Sequence, residues 1–423
     1  MNWVQILCLC LLLRNAASRP PNIVFILVDD LGWRDVSYHG SDQIPTPNID
    51  VLAMDGVVLG HNYVQPLGTA SRAALLTGFY PVHTGMQHLS IGDTEPRGLG
   101  MEFKLLPQFL KDLGYSTHMI GKWHLGFFRD EQKPLRRGFD TFYGIFNGAA
   151  DFWTHFSRDP TMDLSGHALR SNEVPLLNET GRYLTSLFAR QAERIIHSRP
   201  RTKPFFLYLA PTAVHCAGSN GTIQAPYEYL SSFSYLKDYD RQMLAGSLAE
   251  LDKLTMAARR WASPITSPQT GPCVVRRALW QKVEHGVLLS CGRRGSHRAV
   301  VSPSSSFTLQ TGFLHYTGLL VLSCFHGKTL ETPREIPDAV LAEVMATAPV
   351  GGYCHPKFAT CMYDLNDDPW ERYNLYRPDH PEYMRLRARI EEFKQTMKPV
   401  TYTGSDPRAD PMVHGGVWNA WHD

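Results

Sequence analysis

The clearest signal along the chain is a set of short, unbroken apolar runs that end in polar residues. Residues 22–28 (NIVFILV) are apolar after Asn22 and rich in β-branched side chains, and they stop at Asp29-Asp30-Leu31-Gly32. Such a run predicts a strand covered on both faces, and acids at its carboxyl end are the pattern of a central parallel strand feeding a site. Residues 115–120 lead in the same way into Gly121-Lys122-Trp123-His124, and residues 204–210 (PFFLYLA) lead to His215. Helical patterns lie between these strands. Residues 47–58 open with Asn48-Ile49-Asp50 as a cap, residues 71–77 (SRAALLT) close at Gly78, and residues 105–113 repeat at a 3.6-residue period up to Gly114. Residues 183–197 are amphipathic, and 241–253 form another helix. Alternation of strands and helices predicts an α/β fold with a mostly parallel central sheet flanked by helices.

The pattern then changes. Residues 256–306 carry paired arginines at 259–260, 276–277 and 293–294 and a serine run at 304–306, with no period of 2 or 3.6. Order resumes near Thr329, and residues 381–394 read as an amphipathic helix. The expected organisation is therefore a leader at 1–18, a main domain at 19–255, an irregular or replaced segment at 256–325 in which core strands are missing, and a smaller α+β domain at 326–423.

Composition adds constraints. The 423 residues include 42 Lys and Arg against 40 Asp and Glu, a net charge of +2. No global basic field exists to favour nucleic acid. Residues 3–13 are apolar apart from Gln5 and are followed by Ala16, Ala17 and Ser18, the layout of a secretory leader. No later apolar stretch is long enough to span a membrane. The expected location is the secretory pathway, ending in the lysosome or outside the cell. Beyond the leader, Cys216, Cys273, Cys291, Cys324, Cys354 and Cys361 remain, and the sequence does not choose among their pairings. Asn178 and Asn220 each begin an Asn-x-Thr sequon and are candidate glycosylation sites.

The chemistry-bearing residues cluster at strand ends. Adjacent carboxylates at Asp29-Asp30 need a cation or positive groups nearby, and a hard cation such as Ca²⁺ or Mg²⁺ would serve; the alternative reading is a helix-capping acidic turn. Lys122 and His124 are two residues apart, so in an extended segment they share a face, the Lys as a point charge on an anion and the His as a proton donor. Arg72, near the start of a short helix, suits an anion or a carboxylate. Together with His215 these groups suit hydrolysis of an anionic ester.

At these residues the sequence resembles the sulfatase family in its arylsulfatase B-like (N-acetylgalactosamine-4-sulfatase-like) form. The resemblance rests on the opening 21–33, on Gln65-Pro66-Leu67-Gly68-Thr69-Ala70-Ser71-Arg72 with Leu76-Thr77-Gly78, and on residues 84–88, 121–126 and 136–140. Near the carboxyl end it rests on residues 365–369 and 406–418. It implies a sulfatase/alkaline-phosphatase-like fold and a hydrolase of sulfate esters whose nucleophile is a formylglycine made from Cys. It also implies Asp29 and Asp30 as ligands of one Ca²⁺, Arg72 beside the nucleophile, and Lys122, His124 and His215 on the sulfate or leaving group. The sulfated partner would be a small molecule or a glycan.

The departures fall at the centre of that chemistry. Gly68 stands at the nucleophile position and has no side chain to oxidise, so no formylglycine forms there. Ala70 replaces the signature Pro, and the chain contains no Asp-Asn dipeptide for the family's second calcium pair. Ala409 replaces a Cys after Asp406-Pro407-Arg408. The sequence therefore predicts a sulfatase-like protein impaired in turnover. The alternatives are a non-catalytic binder of sulfated glycans or of a protein, or a mis-assembled gene model across 256–325.

Overall fold

The computed structural model describes residues 20–59, 62–217, 221–262, 360–364, 368, 373–400 and 403–422, with short backbone strands between 273 and 326. The leader, Asn220 and most of 263–359 lie outside the described residues.

Four parallel strands form the centre of the main sheet: β1 (Ile23–Leu27), β2 (Ser116–Lys122), β3 (Thr141–Ile145) and β8 (Phe205–Ala210). They stand in the order β1-β8-β2-β3, and each neighbouring pair is parallel. Short antiparallel strands β6 (Arg170–Ser171) and β7 (Val174–Pro175) extend the β3 edge. A hairpin of β4 (Phe156–Asp159) and β5 (Leu164–His167) stands apart from the sheet. Strand β9 (Leu319–Ser323) pairs antiparallel with β1. Segment 256–325, expected to lack core strands, thus places one strand on the main sheet.

Alternation along β1 assigns its side chains to two cores. Val24 and Ile26 face one layer with α1 (Pro47–Asp55), α4 (Leu184–Ser198) and α5 (Tyr239–Ala262), where Leu52, Leu187, Phe188, Leu248 and Leu251 are buried. Phe25 and Leu27 face the other, with α2 (Gly68–Thr77), α3 (Leu106–Asp112) and Trp418 from the carboxyl-terminal segment. Both faces are covered, which is why these strands read as continuous apolar runs. Each fully buried Leu or Phe contributes about 1.5–3 kcal/mol.

Several boundaries differ from the sequence reading. Helix α1 starts after Thr46, with Pro47 in its first turn, and Asn48-Ile49-Asp50 is not its cap. Instead the Asn48 and Ile49 amides donate to the Asp252 carboxylate of α5 at 3.0 and 2.9 Å. That long-range cap has no local signature. Helix α2 begins three residues earlier than its apolar pattern, at Gly68. Helix α5 continues to Ala262, past the point where the period fades.

In the carboxyl-terminal part, a strand at Cys361–Asp364 and helix α6 (Pro381–Gln395) supply the expected α+β elements. Helix α6 is amphipathic as its period predicts: Tyr383, Leu386, Ile390 and Phe393 form a half-buried stripe, and no residue of it is fully buried. It docks through Phe393, whose ring meets Tyr80 edge-on at 5.5 Å. Among the described residues Cys216 is a free thiol and Cys361 is disulfide-bonded.

Candidate functional site

Parallel alignment brings the carboxyl ends of β1, β2 and β8 to one edge, and with them Asp29, Lys122 and the loop that carries His215. Gly121 pairs with Ala210 across this edge at φ +109°, and a Cβ on it would fall 2.0 Å from the Ala210 carbonyl. Only glycine allows β2 and β8 to run together there.

Asp29 is the electrostatic centre. Its Oδ2 lies 2.5 Å from Lys122 Nζ and 3.4 Å from Arg72 Nη2, all of them buried. Burial alone would favour its neutral form, but Lys122, Arg72 and His215 outweigh burial and hold Asp29 far below the usual carboxylate range. Arg72 is fixed further by donating to the Lys122 carbonyl at 2.9 Å and by Tyr208 Oη at 3.4 Å. The helix that carries Arg72 starts at Gly68, so α2 presents its amino-terminal end to the same spot.

Gly68 sits under three nitrogens. An ideal Cβ there would lie 3.5 Å from His124 Nδ1, 3.6 Å from Lys122 Nζ and 3.9 Å from Arg72 Nε. These are ordinary van der Waals distances, so the site has room for a side chain that the sequence does not supply. His124 Nδ1 and Arg72 Nε are buried without a hydrogen-bond partner. Buried polar nitrogens are usually paired, so two of them converging on Gly68 make it a candidate binding position.

His124 reaches this position by a route other than strand alternation. It lies past the end of β2 with φ +57°, and its ring is packed against Gly148, where a Cβ would come within 2.6 Å of Nε2. Its Nε2 is 3.1 Å from the Ile91 carbonyl, which can only accept, so Nε2 carries the proton and Nδ1 is the acceptor. Burial, then Lys122 and Arg72, hold the imidazole well below its usual value. At Gly68, His124 is therefore a neutral proton acceptor rather than the donor expected from the sequence.

His215 has the opposite bias. Its Nε2 is 3.6 Å from Asp30 Oδ2, and its Nδ1 is 2.8 Å from the Cys216 carbonyl and 3.6 Å from Cys216 Sγ. Burial and Lys122 lower its pKa, but Cys216, Asp29 and Asp30 outweigh them and the net shift is upward. The two imidazoles are thus biased toward opposite protonation states.

The structure thus brings Gly68, Arg72, Lys122 and His124 into contact around Asp29, and joins Asp30 to His215. Among the described residues the donors do not complete a calcium site. Calcium takes six to eight oxygens, whereas Asp29 is already held by two cations and no group of three or more His, Cys, Asp or Glu able to hold a metal occurs among the described residues. Asn178 is exposed and open to modification; Asn220 lies outside the described residues. Tyr208, the Ile91 carbonyl, Gly148 and Cys216 were not foreseen. Only Tyr208 left a trace, as the one hydroxyl inside an otherwise apolar strand.

Known proteins share this framework. Mouse arylsulfatase J is 29% identical over 493 aligned residues, covering 96% of this chain and 81% of that protein. Human N-acetylgalactosamine-6-sulfatase is 35% identical over 213 residues, covering 48% of this chain and 41% of that protein. Among solved structures, Ps i-CgsB superposes with a TM-score of 0.63 at 20% identity over 91% of this chain and 95% of its own. BT4656, solved in complex with its substrate D-glucosamine-2-N,6-O-disulfate, superposes with a TM-score of 0.52 at 15% identity over 89% of this chain and 98% of its own. These two establish the fold alone. The Sulfatase family model matches residues 21–260, a span that holds β1, α2, β2 and β8 and every group gathered around Asp29, and the chain belongs to the sulfatase family.

Proposed function

We propose that this chain recognises a sulfate ester, carried on a glycan, in the pocket over Gly68 and does not turn it over by the covalent route of its family. The observation that carries the reading is the convergence of His124 Nδ1, Lys122 Nζ and Arg72 Nε on a residue without a side chain. Lys122 and Arg72 supply two positive charges and Asp29 removes one, so the buried trio has a net charge of +1 for the single negative charge of a sulfate monoester. The amino-terminal end of α2 adds a favourable dipole. An upward-shifted His215, beside Asp30 at 3.6 Å, supports a role as proton donor to the ester oxygen. His124 is an acceptor for a hydroxyl at position 68, and no hydroxyl is there.

Neighbouring hydroxyls do not substitute. Thr69 Oγ1 donates to the His124 carbonyl at 3.2 Å and accepts from the Ile91 amide at 3.2 Å. Ser71 Oγ donates to the Gln65 carbonyl at 2.7 Å. Both are committed to backbone and turned from the pocket. A glycan as carrier is supported by relatives named for N-acetylgalactosamine-6-sulfate chemistry and by a structural neighbour solved with a sulfated sugar. Secretory placement, in the lysosome or outside the cell, rests on the apolar run at 3–13. Among the described residues no helix is long and apolar enough to cross a membrane.

The test is turnover and binding of a small aryl sulfate by the purified chain, beside a Gly68→Cys variant co-produced with a formylglycine-generating enzyme. Saturable binding without turnover by the unaltered chain supports the reading. Turnover by the unaltered chain, or absence of any binding, overturns it. Recovered turnover in Gly68→Cys would show that the rest of the pocket is catalytically competent.

A further inference from the structure

A second polar cavity lies at the other end of the same sheet. It has a volume of about 290 Å³ and sits where β2 and β3 begin, against the carboxyl-terminal end of α4. Strand β2 connects the two sites: Ser116 and His118 line this cavity, and Lys122 ends the strand beside Gly68. At about 3.3 Å per residue the two are separated by about 20 Å along the strand.

The lining has the composition of a sugar site rather than of a packing defect. His118, Gln191, Asn172 and Arg199 offer donors and acceptors, and Phe142 and Ile195 supply an apolar wall. His118 Nδ1 is held by Thr141 Oγ1 at 2.8 Å, which fixes the ring and leaves Nε2 without a protein partner among the described residues. Asn172 accepts from the Phe142 amide at 2.8 Å through Oδ1, so its amide nitrogen is the group presented. Gln191 makes no side-chain hydrogen bond among the described residues. The volume is at the small end of the range for ligand pockets, about 300–1,000 Å³, enough for one sugar unit.

The rim is basic. Residues 190–203 hold Arg190, Arg194, Arg199, Arg201 and Lys203 against Glu193 alone, an excess of four in a chain whose total is +2. Arg199 answers the end of α4 by donating to the Ile196 carbonyl and lies over the Phe205 ring at 4.9 Å. Arg194, Arg201 and Lys203 are exposed and make no ion pair among the described residues. A helix carboxyl end repels anions by roughly half a charge; Arg199 in the lining opposes it, and the charge of Lys203 is shared with Asp140.

We propose that this cavity is an accessory site for one unit of an acidic, sulfated glycan, independent of the pocket over Gly68. Linked binding at two positions on one polymer raises overall affinity without new contacts at either.

The experiment is calorimetric titration of the whole protein with a dermatan sulfate decasaccharide and, separately, with a small aryl sulfate. Gln191→Ala removes a pocket hydrogen bond, and Arg194→Glu with Lys203→Glu reverses the rim. Each is expected to weaken decasaccharide binding about tenfold, the effect of losing one good hydrogen bond to a charged ligand, with thermal stability and aryl sulfate binding unchanged. Unchanged decasaccharide affinity in Gln191→Ala overturns the proposal, even if the rim reversal weakens binding, because charge alone would then account for it. Loss of aryl sulfate binding in the unaltered protein, with the Gln191 effect intact, would sink the Gly68 reading and leave this one standing.

Discussion

Lys122 Nζ lies 2.5 Å from Asp29 Oδ2, with both side chains 2% exposed. Removing one partner of a buried ion pair leaves a charge without its counter-charge, at a cost of roughly 3–5 kcal/mol. Arg72, 3.4 Å away, retains part of the compensation. Lys122→Met is therefore expected to lower unfolding free energy by about 3 kcal/mol, read by urea denaturation, with loss of aryl sulfate binding. Asp29→Asn combined with Lys122→Met should recover none of that stability, because it leaves the buried Arg72 guanidinium without its counter-charge. The depressed pKa of Asp29 contributes stability above its unfolded value near 3.8 that is lost only as pH falls through the lower folded value. The Lys122 effect should accordingly be constant from pH 7 to about pH 5. An effect under 1 kcal/mol would mean that the pair contributes no more than a surface contact.

Gly68 should accept a methyl group. It is not among the residues with positive φ, and the nearest atoms to a Cβ are at 3.5–3.9 Å. At such a position Gly→Ala reduces the freedom of the unfolded chain and stabilises by about 0.4–1 kcal/mol. Gly68→Ala is expected to raise the urea midpoint without changing the slope. A decrease in the midpoint would show that the backbone or the three nitrogens need the space.

Much of this site is legible in the sequence, and the limit is instructive. The runs ending at Asp29, Lys122 and His215 identify parallel strands because burial on both faces demands apolar residues at consecutive positions. Parallel strands then gather those residues at one edge. What the sequence withholds is direction. The acceptor role of His124 depends on the Ile91 carbonyl, 33 positions away, and on a left-handed backbone that no local pattern announces. The cap of α1 by Asp252 depends on a contact across 204 positions. Helix α6 is legible for the converse reason: its apolar period places Tyr383, Leu386, Ile390 and Phe393 on one half-buried stripe, while Arg385, Arg387 and Arg389 stay exposed.

The carboxyl-terminal segment should be held chiefly by Trp418. Its ring is fully buried, its Nε1 donates to the Ser157 carbonyl at 3.1 Å, and its own carbonyl accepts from Arg170. Truncating a buried Trp costs about 3–5 kcal/mol. Trp418→Ala is expected to expose the chain near residues 400–422 to limited proteolysis under native conditions while residues 20–262 stay resistant. Equal resistance of both regions would show that α6 and the Lys398–Glu102 ion pair suffice to dock the segment.

Acid sensitivity should originate in a buried histidine pair. The His155 and His167 rings meet edge-on at 6.0 Å, both residues are at most 1% exposed, and neither His167 nitrogen has a hydrogen-bond partner among the described residues. Burial, then His155 and Arg170, push His167 down to about 4, and burial likewise lowers His155 despite its bond to the Arg182 carbonyl. A histidine depressed in the folded state binds its proton more readily when unfolded, so stability falls as pH drops from about 6.5 towards 4. For His167 the loss is on the order of 3 kcal/mol. Asp93 acts in the opposite sense. Its buried carboxyl is pushed up to about 6, so its contribution to stability diminishes as pH rises from 3.8 to 6. The wild-type profile is the sum of both, and the informative quantity is the difference between wild type and His167→Leu. That difference should shift in favour of the variant by about 2–3 kcal/mol between pH 6.5 and 4.5, measured by denaturation at each pH. A difference independent of pH would show that His167 is satisfied in solution by a group that can take up its proton.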